Sequence, residues 1–456
     1  MLKRNLCLLL IDVFSFYVAL MLAFYTRKCL GYYIFPQYQL TLKQLFSLWW
    51  FPLIFIAFIA LEGLYTFRFL FWEETRRLLK AITIATIVIF AIVSLGKMSD
   101  KVSRLTVIFV WFYSIFLFPT FRYFGKKILY GFSWWREPVF VIGDKDFLRD
   151  IKQFLEKDKF LGFSVVGEFS TEEDKNSVER VLENLSVDTL IVSISTFPSY
   201  RIEKFLAKIQ KLVKHVFFVP QLDGLAVLNS EVYPVLFNKF FFLSVKNNLK
   251  SKFNKILKRI FDVIISIILL PFLLPLFGII AVLIKLDSDG PGFFVHERIG
   301  EGGKVIRVLK FRTMYKDARE RLEKLLKEDE EARKEWEANF KLKDDPRVTK
   351  VGKFLRKTSL DELPQIFNVL KGDMSLVGPR PVLKEELEKY YKEFAEYYYM
   401  VKPGITGLWQ VSGRSDTDYE KRVKLDTWYV LNWSLWLDFI ILIKTVEAVL
   451  KRKGAY

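Results

Sequence analysis

Charged and turn-forming residues are concentrated in three short stretches of the last third of the chain. These stretches are KFRTM at 310–314, TSLDELPQ at 358–365 and VGPRP at 377–381. The first alternates cations with apolar residues as a β-strand does, so we expect Lys310 and Arg312 to point to one side. Gly and Pro around Arg380 predict a rigid turn that fixes the direction of one guanidinium, a geometry suited to phosphate.

One acidic pair, Asp361 and Glu362, lies among these cations. Cations around a carboxylate indicate phosphoryl transfer: Lys and Arg, with or without Mg²⁺, neutralise phosphate oxygens while the carboxylate attacks phosphorus or orients the metal. In the alternative interpretation the pair caps a helix that begins at Pro364, and the basic residues form a solvated surface. A glycine-punctuated loop at 402–414 ends in a further cation, Arg414. The spacing alone leaves both interpretations open.

The chain offers few ligands to a transition metal. It contains two His, two Cys and no CxxC motif, so a zinc site is not expected. A hard cation bound by oxygen atoms is the one metal that this composition favours.

The elements that must position these residues are predicted to be partly membrane-embedded. The 456 residues are 52% apolar and 26% charged, a combination that requires the two kinds of residue to occupy different parts of the chain. Residues 1–135 carry 15 Lys and Arg against 5 Asp and Glu, a net charge of +10, whereas 136–249 carry −1 and 250–456 carry +9. The two basic parts are the hydrophobic ones, which favours anionic lipids or phosphorylated ligands as partners, and no nucleic acid is expected.

The N-terminal part is predicted to form four transmembrane helices within residues 1–135. Its apolar stretches are 5–26, 44–61, 81–96 and 105–121, each close to the length that crosses a bilayer. Ten Lys and Arg flank these stretches on one side against six on the other, which places the N-terminus and everything after residue 122 in the cytoplasm. Because the stretches carry almost no ionisable residue, an anchor and dimerisation surface is a better interpretation than a transporter.

Residues 136–249 are predicted to form a Rossmann-like α/β domain. Apolar strand-like segments at 138–143, 187–195 and 216–220 alternate with helical ones, which indicates a parallel sheet. Asp144 follows Gly143 in place of the glycines that let a backbone approach a pyrophosphate, so no dinucleotide fingerprint is present. Tyr200 and Lys204 have the Tyr-x-x-x-Lys spacing of short-chain dehydrogenases and nucleotide-sugar dehydratases, which keeps such an enzyme as an alternative.

A second apolar segment, at about 262–285, precedes the basic C-terminal stretches. A fifth crossing would put those stretches outside the cell, against the positive-inside rule. Pro271 and Pro275 lie one turn apart near the middle of the segment, and each removes a helical hydrogen bond. We therefore expect a broken, re-entrant helix that enters and leaves the membrane on the cytoplasmic side.

Residues 258–456 closely resemble the bacterial sugar transferases, which are monotopic polyprenyl-phosphate phosphoglycosyl transferases. The matching motifs are KRIFD at 258–262, KFRTM at 310–314, KTSLDELPQIFNVLKGDMSLVGPRP at 357–381 and PGITGLWQVSGR at 403–414. The four N-terminal spans and the Rossmann-like domain make the whole chain similar to the large members of that family. In the family the re-entrant helix breaks at a proline that matches Pro275, although the residue before it, often serine, is Leu274 here.

The resemblance implies a two-step reaction on a membrane-embedded acceptor. Asp361 matches the nucleophile that attacks the β-phosphorus of a UDP-sugar and releases UMP, and Glu362 matches its partner. Mg²⁺ is the implied cofactor, held at Asp361, and undecaprenyl phosphate is the implied acceptor. The basic positions assigned to phosphates are Lys310, Arg312, Arg380 and Arg414.

The sequence thus predicts a multidomain membrane protein: a four-helix transmembrane bundle, a cytoplasmic Rossmann-like α/β domain, and a mainly helical α+β catalytic domain over 250–456 with a re-entrant membrane helix. The expected activity is transfer of hexose-1-phosphate, galactose before glucose, to start O-antigen or exopolysaccharide synthesis. The expected location is the cytoplasmic face of the bacterial inner membrane, in contact with lipids and as a homodimer. A nucleotide-sugar dehydratase and a non-catalytic scaffold are the alternatives.

Overall fold

The computed structural model of the chain describes residues 2–33, 49–96, 103–171, 187–193, 213–220, 229–234, 241–330, 333, 345–413 and 418–451. It consists of two compact units, Met1–Gln221 and Leu222–Tyr456. The second unit begins upstream of the predicted boundary at 250, because a hairpin of β5 (Ser230–Pro234) and β6 (Phe241–Val245) belongs to it. The Asn229 amide ties this hairpin to the backbone carbonyls of Leu431 and Trp433.

The first unit begins with four apolar helices. They are α1 (Leu2–Tyr33), α2 (Trp50–Leu61), α3 (Phe71–Leu95) and α4 (Arg104–Leu129). By length and composition α1, α3 and α4 can each cross a membrane, whereas the described part of the second predicted span is a shorter apolar helix of 12 residues. Aromatic and aliphatic side chains such as Phe16, Phe55 and Phe118 form the buried core between the helices.

A cluster of four charged side chains is buried where α1, α3 and α4 meet. The Arg122 guanidinium lies 2.6 Å from Asp12 and 2.8 Å from Glu74, and Lys126 pairs with the second oxygen of Glu74. The helices extend beyond the apolar stretches that predict them, α3 at its start and α4 at its end. The bundle therefore holds more ionisable residues than the sequence analysis expects, and they neutralise one another.

The rest of the first unit contains the predicted parallel sheet. Its strands are β1 (Glu137–Gly143), β2 (Phe163–Ser170), β3 (Thr189–Ser193) and β4 (His215–Val219), in the order β2-β1-β3-β4. All three pairings are parallel. Helix α5 (Lys145–Lys157) follows β1 and packs its apolar side chains on one face of the sheet, as the alternation predicts. Strand β2 lies where the sequence predicts no strand, and the helical segment predicted between β3 and β4 lies almost entirely outside the described residues.

The second unit is dominated by α6 (Lys252–Asp287), a helix of 36 residues that can also cross a membrane by length and composition. Pro271 and Pro275 both lie inside it and are exposed. The residues on either side of them are helical, so the structure does not show the predicted break at these prolines. Fully buried side chains lie towards its two ends, for example Asp262 and Ile284, whereas most side chains in its middle are exposed. Phe272 is 76% exposed there.

Short elements follow α6 and build the remainder of the unit. An antiparallel hairpin comprises β7 (Phe293–Ile299) and β8 (Val305–Phe311). After α7 (Ala318–Glu328) come α8 (Lys350–Thr358), a 3₁₀ turn (Leu360–Gln365) and α9 (Ile366–Lys371). Strands β9 (Ser375–Val377) and β10 (Gly404–Thr406) pair in parallel. Helices α10 (Ala395–Tyr399), α11 (Leu408–Val411), α12 (Tyr419–Leu431) and α13 (Leu435–Lys451) complete the unit, with Trp433 and Ile441 in its core.

Candidate active site

The acidic pair lies in the 3₁₀ turn between α8 and α9. Helix α8 ends at Thr358, the next residue Ser359 adopts a left-handed conformation with φ of 57°, and Asp361 and Glu362 follow in the first turn of the 3₁₀ segment. The next helix, α9, has Gln365 at its N-cap and no side-chain cap hydrogen bond. The pair therefore does not cap α9, which the alternative interpretation expects it to do.

Two of the predicted cations meet at Glu362. The Lys310 ammonium from β8 lies 2.7 Å from the Oε1 of Glu362, and the Arg380 guanidinium, from the turn after β9, lies 3.4 Å from the same oxygen. These groups come from three separate elements. The fold thus brings together Lys310, Arg380 and the acidic pair as the motifs predict.

Asp361 has a different environment from Glu362. Burial raises the pKa of the Asp361 carboxyl to about 6, with the Glu362 charge as the second cause, while Lys310, Arg356 and Arg380 oppose the shift. Within the described residues no ion pair engages this carboxylate. Asp361 is thus ionised in most molecules at neutral pH and is more basic than an ordinary aspartate, which suits a nucleophile.

Arg356 is a site residue that the sequence analysis missed. It lies on α8, and its Nε donates a hydrogen bond to the Thr313 hydroxyl at 3.0 Å. Burial lowers the pKa of Arg356 and the Asp361 charge opposes this, while the Arg356 charge opposes the rise in the pKa of Asp361. Helix α8 also lies very close to the KFRTM strand, since a Cβ at Gly352 would be 2.1 Å from the Thr313 carbonyl oxygen. No spacing in the sequence indicates this role, because α8 ends before the acidic pair begins.

Arg312 makes its hydrogen bonds to residues other than the acidic pair. Its side chain is 8% exposed, and one amino group donates to the Ser288 carbonyl at 2.7 Å and to the Ser288 hydroxyl at 2.9 Å. The other donates to the carbonyl of Asp289. Gly290 has φ of +122° and leaves room for this guanidinium, since a Cβ there would lie 2.2 Å from it. Arg312, just after β8, thus binds the loop that follows α6. Arg414 lies outside the described residues.

Both ends of α6 are bound to the elements that carry the site. Near its start, Lys258 lies 2.7 Å from the Asp438 carboxylate, and Asp262 accepts a hydrogen bond from the Ser375 hydroxyl at 2.8 Å. At its end, Asp287 accepts from the backbone N–H of Val351 at 2.9 Å. Strand β9 and helix α8 are therefore held to opposite ends of one apolar helix.

The residues present fit a magnesium ion. No group of three or more His, Cys, Asp or Glu side chains that could hold a metal occurs among the described residues. Mg²⁺ does not require such a group, because it is commonly bound by one or two carboxylates, substrate phosphates and water. The Asp361 carboxylate, next to cations that would hold phosphates, meets that requirement.

The loop after β1 does not offer a dinucleotide site. The Asp144 carboxylate accepts a hydrogen bond from the Phe147 N–H at 2.8 Å, so it occupies the first turn of α5. The Phe147 ring packs against Gly143, where an added Cβ would lie 2.3 Å from it. An anion and a phenyl ring thus fill the place where a pyrophosphate binds in dinucleotide enzymes. Tyr200 and Lys204 lie outside the described residues.

Comparison with known proteins identifies the family. The family described as "Bacterial sugar transferase" matches residues 253–452. The chain is 40% identical to the undecaprenyl-phosphate galactose phosphotransferase of Salmonella typhimurium, over 86% of this chain and 84% of that protein. It is 32% identical to the UDP-glucose:undecaprenyl-phosphate glucose-1-phosphate transferase of Escherichia coli, over 70% of this chain and 68% of that protein. With its catalytic motifs assembled around one acidic pair, the chain belongs to the bacterial sugar transferase family.

Proposed function

We propose that the protein transfers hexose-1-phosphate from a UDP-sugar to undecaprenyl phosphate through a covalent intermediate on Asp361. The observation that carries this proposal is the half-buried Asp361 carboxylate beside Glu362, on which the charges of Lys310, Arg356 and Arg380 act. The names of the relatives, which include galactose and glucose phosphate transferases acting on undecaprenyl phosphate, supply the substrate class. The relatives also include an exopolysaccharide production protein, which supports a role in starting a surface polysaccharide.

In the first step a carboxylate oxygen of Asp361 attacks the β-phosphorus of the UDP-sugar. The new bond joins that oxygen to phosphorus, and the bond from phosphorus to the oxygen bridging the two phosphates breaks. The electron pair of the broken bond leaves with that oxygen as UMP. Lys310 and Arg380 stabilise the charge on the phosphoryl oxygens, since fixed cations are most effective where charge develops.

In the second step an oxygen of undecaprenyl phosphate attacks the same phosphorus. The aspartyl carboxylate leaves with its electron pair and is regenerated, and the product is undecaprenyl diphosphate sugar. The water-soluble donor and the lipid acceptor can thus use one cationic site in turn, because they need not be bound together. Glu362, paired with Lys310, holds that ammonium beside the reacting phosphorus in both steps.

Asp361 and the phosphates of the donor would hold Mg²⁺ in this site. The ion would supply further charge neutralisation at the phosphoryl oxygens. The chain's own part is to provide the Asp361 carboxylate, which has no ion pair among the residues that the structure describes, and to keep Glu362 engaged by Lys310 and Arg380. Asp361 is thereby left available both to the ion and to phosphorus.

Turnover with a panel of UDP-sugars tests the proposal. With undecaprenyl phosphate and Mg²⁺, we expect UMP release from UDP-galactose to exceed that from UDP-glucose, and little release from other UDP-sugars. We expect galactose because the galactose phosphotransferase named above is 40% identical to this chain and the glucose-1-phosphate transferase 32%. Faster release from UDP-glucose would identify glucose as the transferred sugar. Release of UDP in place of UMP, or no release with any donor, would contradict phosphosugar transfer.

A nucleotide-sugar dehydratase is the second candidate from the sequence. It is disfavoured because Asp144 and the Phe147 ring occupy the loop after β1, where such an enzyme would bind its dinucleotide. Such an enzyme would carry bound nicotinamide. We expect purified protein to show no nicotinamide absorbance and Tyr200→Phe to leave UMP release unchanged.

We propose further that α6 is re-entrant and that the catalytic unit lies on the cytoplasmic face of the inner membrane. A helix that crossed the membrane would separate its ends by about 30 Å of hydrocarbon. Yet Arg259 near the start donates to the Leu370 carbonyl at 2.7 Å, and Asp287 at the end accepts from Val351. Val351 and Leu370 lie in α8 and α9, which only the 3₁₀ turn separates along the chain. This favours a path that enters and leaves on one side.

Cysteine labelling tests this path. In a chain with Cys7 and Cys29 replaced by Ser, a single cysteine is placed at exposed Lys252 or at exposed Lys285. A membrane-impermeant thiol reagent is expected to label both variants in inside-out vesicles and neither in intact cells. Labelling of the two positions from opposite sides would show that α6 crosses the membrane.

A further inference from the structure

Several residues of strand β7 share the face of the β7–β8 hairpin that carries Lys310. Phe294 lies directly opposite Lys310 in the antiparallel register, and His296 and Arg298 are the next residues of β7 on that face. Their partners on β8, Val308 and Ile306, are buried in the core, so this is the face turned towards the acidic pair. The rings of Phe294 and His296 are in contact, with centroids 5.6 Å apart.

Arg298 is held close to the turn that carries Arg380. The backbone N–H of the next residue, Ile299, donates to the Val382 carbonyl at 3.0 Å, and the Tyr398 hydroxyl donates to the Ile299 carbonyl at 2.7 Å. Val382 is two residues beyond Arg380. Both backbone groups of Ile299 are thus fixed, and the position of Arg298 relative to the Arg380 turn is fixed with them.

The Arg298 guanidinium has donors to spare. Among the described residues its side chain makes one hydrogen bond, to the carbonyl of Glu297 at 3.0 Å, and no carboxylate there lies within ion-pair distance of it. Burial lowers the pKa of Arg298, the Glu386 charge opposes this, and the like charge of Arg380 lowers it further. Two guanidinium groups that feel each other's charge, one of them without an ion pair, form an arrangement that an anion would stabilise.

We propose that Arg298, together with Arg380, binds the oxygens of a phosphate group next to the one that reacts at Asp361. This inference rests on the proposed function, in which such a group has two sources. One is the phosphate that leaves as UMP, and the other is the phosphate of the lipid acceptor. Either presents oxygens that a guanidinium can hold by two hydrogen bonds. Arg298 acts as a substrate-binding residue, and Lys310 remains beside the reacting phosphorus.

The test compares Arg298→Gln with a matched control, Arg307→Gln, on the other face of the same hairpin. Arg307 is 78% exposed and lies 3.9 Å from Glu297. The first arm measures KM for UDP-galactose and inhibition by UMP. The second measures KM for undecaprenyl phosphate. Because charged hydrogen bonds contribute about 1.5–3 kcal/mol, Arg298→Gln is expected to raise KM about 10- to 100-fold in one arm, and Arg307→Gln to leave both KM values within twofold.

The arm that responds identifies the phosphate. A raised KM for UDP-galactose with weakened UMP inhibition assigns Arg298 to the leaving phosphate, and a raised KM for the lipid assigns it to the acceptor. If Arg298→Gln does not fold, Arg298→Lys serves in its place, because lysine keeps the charge but cannot donate two parallel hydrogen bonds. We expect it to raise the same KM by a smaller factor. Wild-type KM values in both arms, in whichever variant folds, would overturn the inference. Absence of UMP release by the wild-type enzyme would instead overturn the proposed function.

Discussion

Asp361→Asn is expected to lower UMP release by about 10⁴-fold or more while the protein remains folded. The substitution preserves the size of the side chain but replaces a carboxylate with an amide that cannot act as the nucleophile. Loss of a nucleophile costs most of the rate enhancement in enzymes that form covalent intermediates. UMP release from UDP-galactose, measured at saturating donor and acceptor, provides the test.

Two variants serve as controls for this result. Glu362→Gln retains the nucleophile but weakens the ion pairs with Lys310 and Arg380, so we expect a smaller loss, about 10²-fold. Asp373→Asn removes a carboxylate paired with exposed Lys371 and should leave the rate unchanged. Turnover of Asp361→Asn close to that of Asp373→Asn would show that the phosphosugar is carried elsewhere or transferred directly.

Arg122→Met is expected to destabilise the N-terminal unit by about 3–5 kcal/mol. Arg122 is fully buried and is the one residue that bridges Asp12 and Glu74 within the described bundle. Methionine fills much of the same volume but leaves the Asp12 carboxylate without its cation, and a buried unpaired charge is costly. The unfolding temperature in detergent should fall by about 10 °C, because 1 kcal/mol corresponds to about 2–4 °C for a unit of this size.

Arg149→Met is the matched control for this stability measurement. Arg149 lies in the same unit, and its side chain is 73% exposed where it pairs with Asp146. Exposed ion pairs contribute at most about 1 kcal/mol, so the unfolding temperature should shift by no more than about 4 °C. Equal unfolding temperatures for Arg122→Met and Arg149→Met would contradict a structural role of the buried cluster.

The positions of Asp361, Glu362, Lys310 and Arg380 could be predicted because each lies in a short motif whose local structure is strongly constrained. The 3₁₀ turn at the acidic pair, the strand at Lys310 and the Gly-Pro turn at Arg380 are all read from neighbouring residues. The contacts of Lys310 and Arg380 with Glu362 depend on long-range packing. The charges of these residues suggest such contacts, but their spacing in the sequence does not establish them.

The roles of other site residues could not be predicted from the sequence, because tertiary contacts determine them. Arg312 alternates with Lys310 in sequence, yet it lies beyond the end of β8 and binds the loop after α6. Arg356 and Arg298 stand in ordinary helix and strand patterns, and only the packing of α8 and the register of β7 place them near the site. Strand pairing sets which residue lies opposite Lys310, and no local signal encodes it.

The fold shows the same division between local and tertiary information. Apolar length predicted α1, α3, α4 and α6, and alternation predicted the parallel sheet. The continuity of α6 through Pro271 and Pro275 was not predicted, because the cost of a proline in a helix is an average that a particular backbone can accommodate. The buried charges of the bundle were missed because Glu74, Arg122 and Lys126 look like flanking residues until the helices pack.

Mass spectrometry of the enzyme incubated with UDP-galactose alone tests the central claim most directly. Without acceptor the second step cannot occur, so the phosphosugar should accumulate on the protein. The peptide that contains Asp361 is predicted to gain the mass of one hexosyl phosphate, and Asp361→Asn should gain none. UMP release without any added mass, or the same mass on a different side chain, would contradict the account.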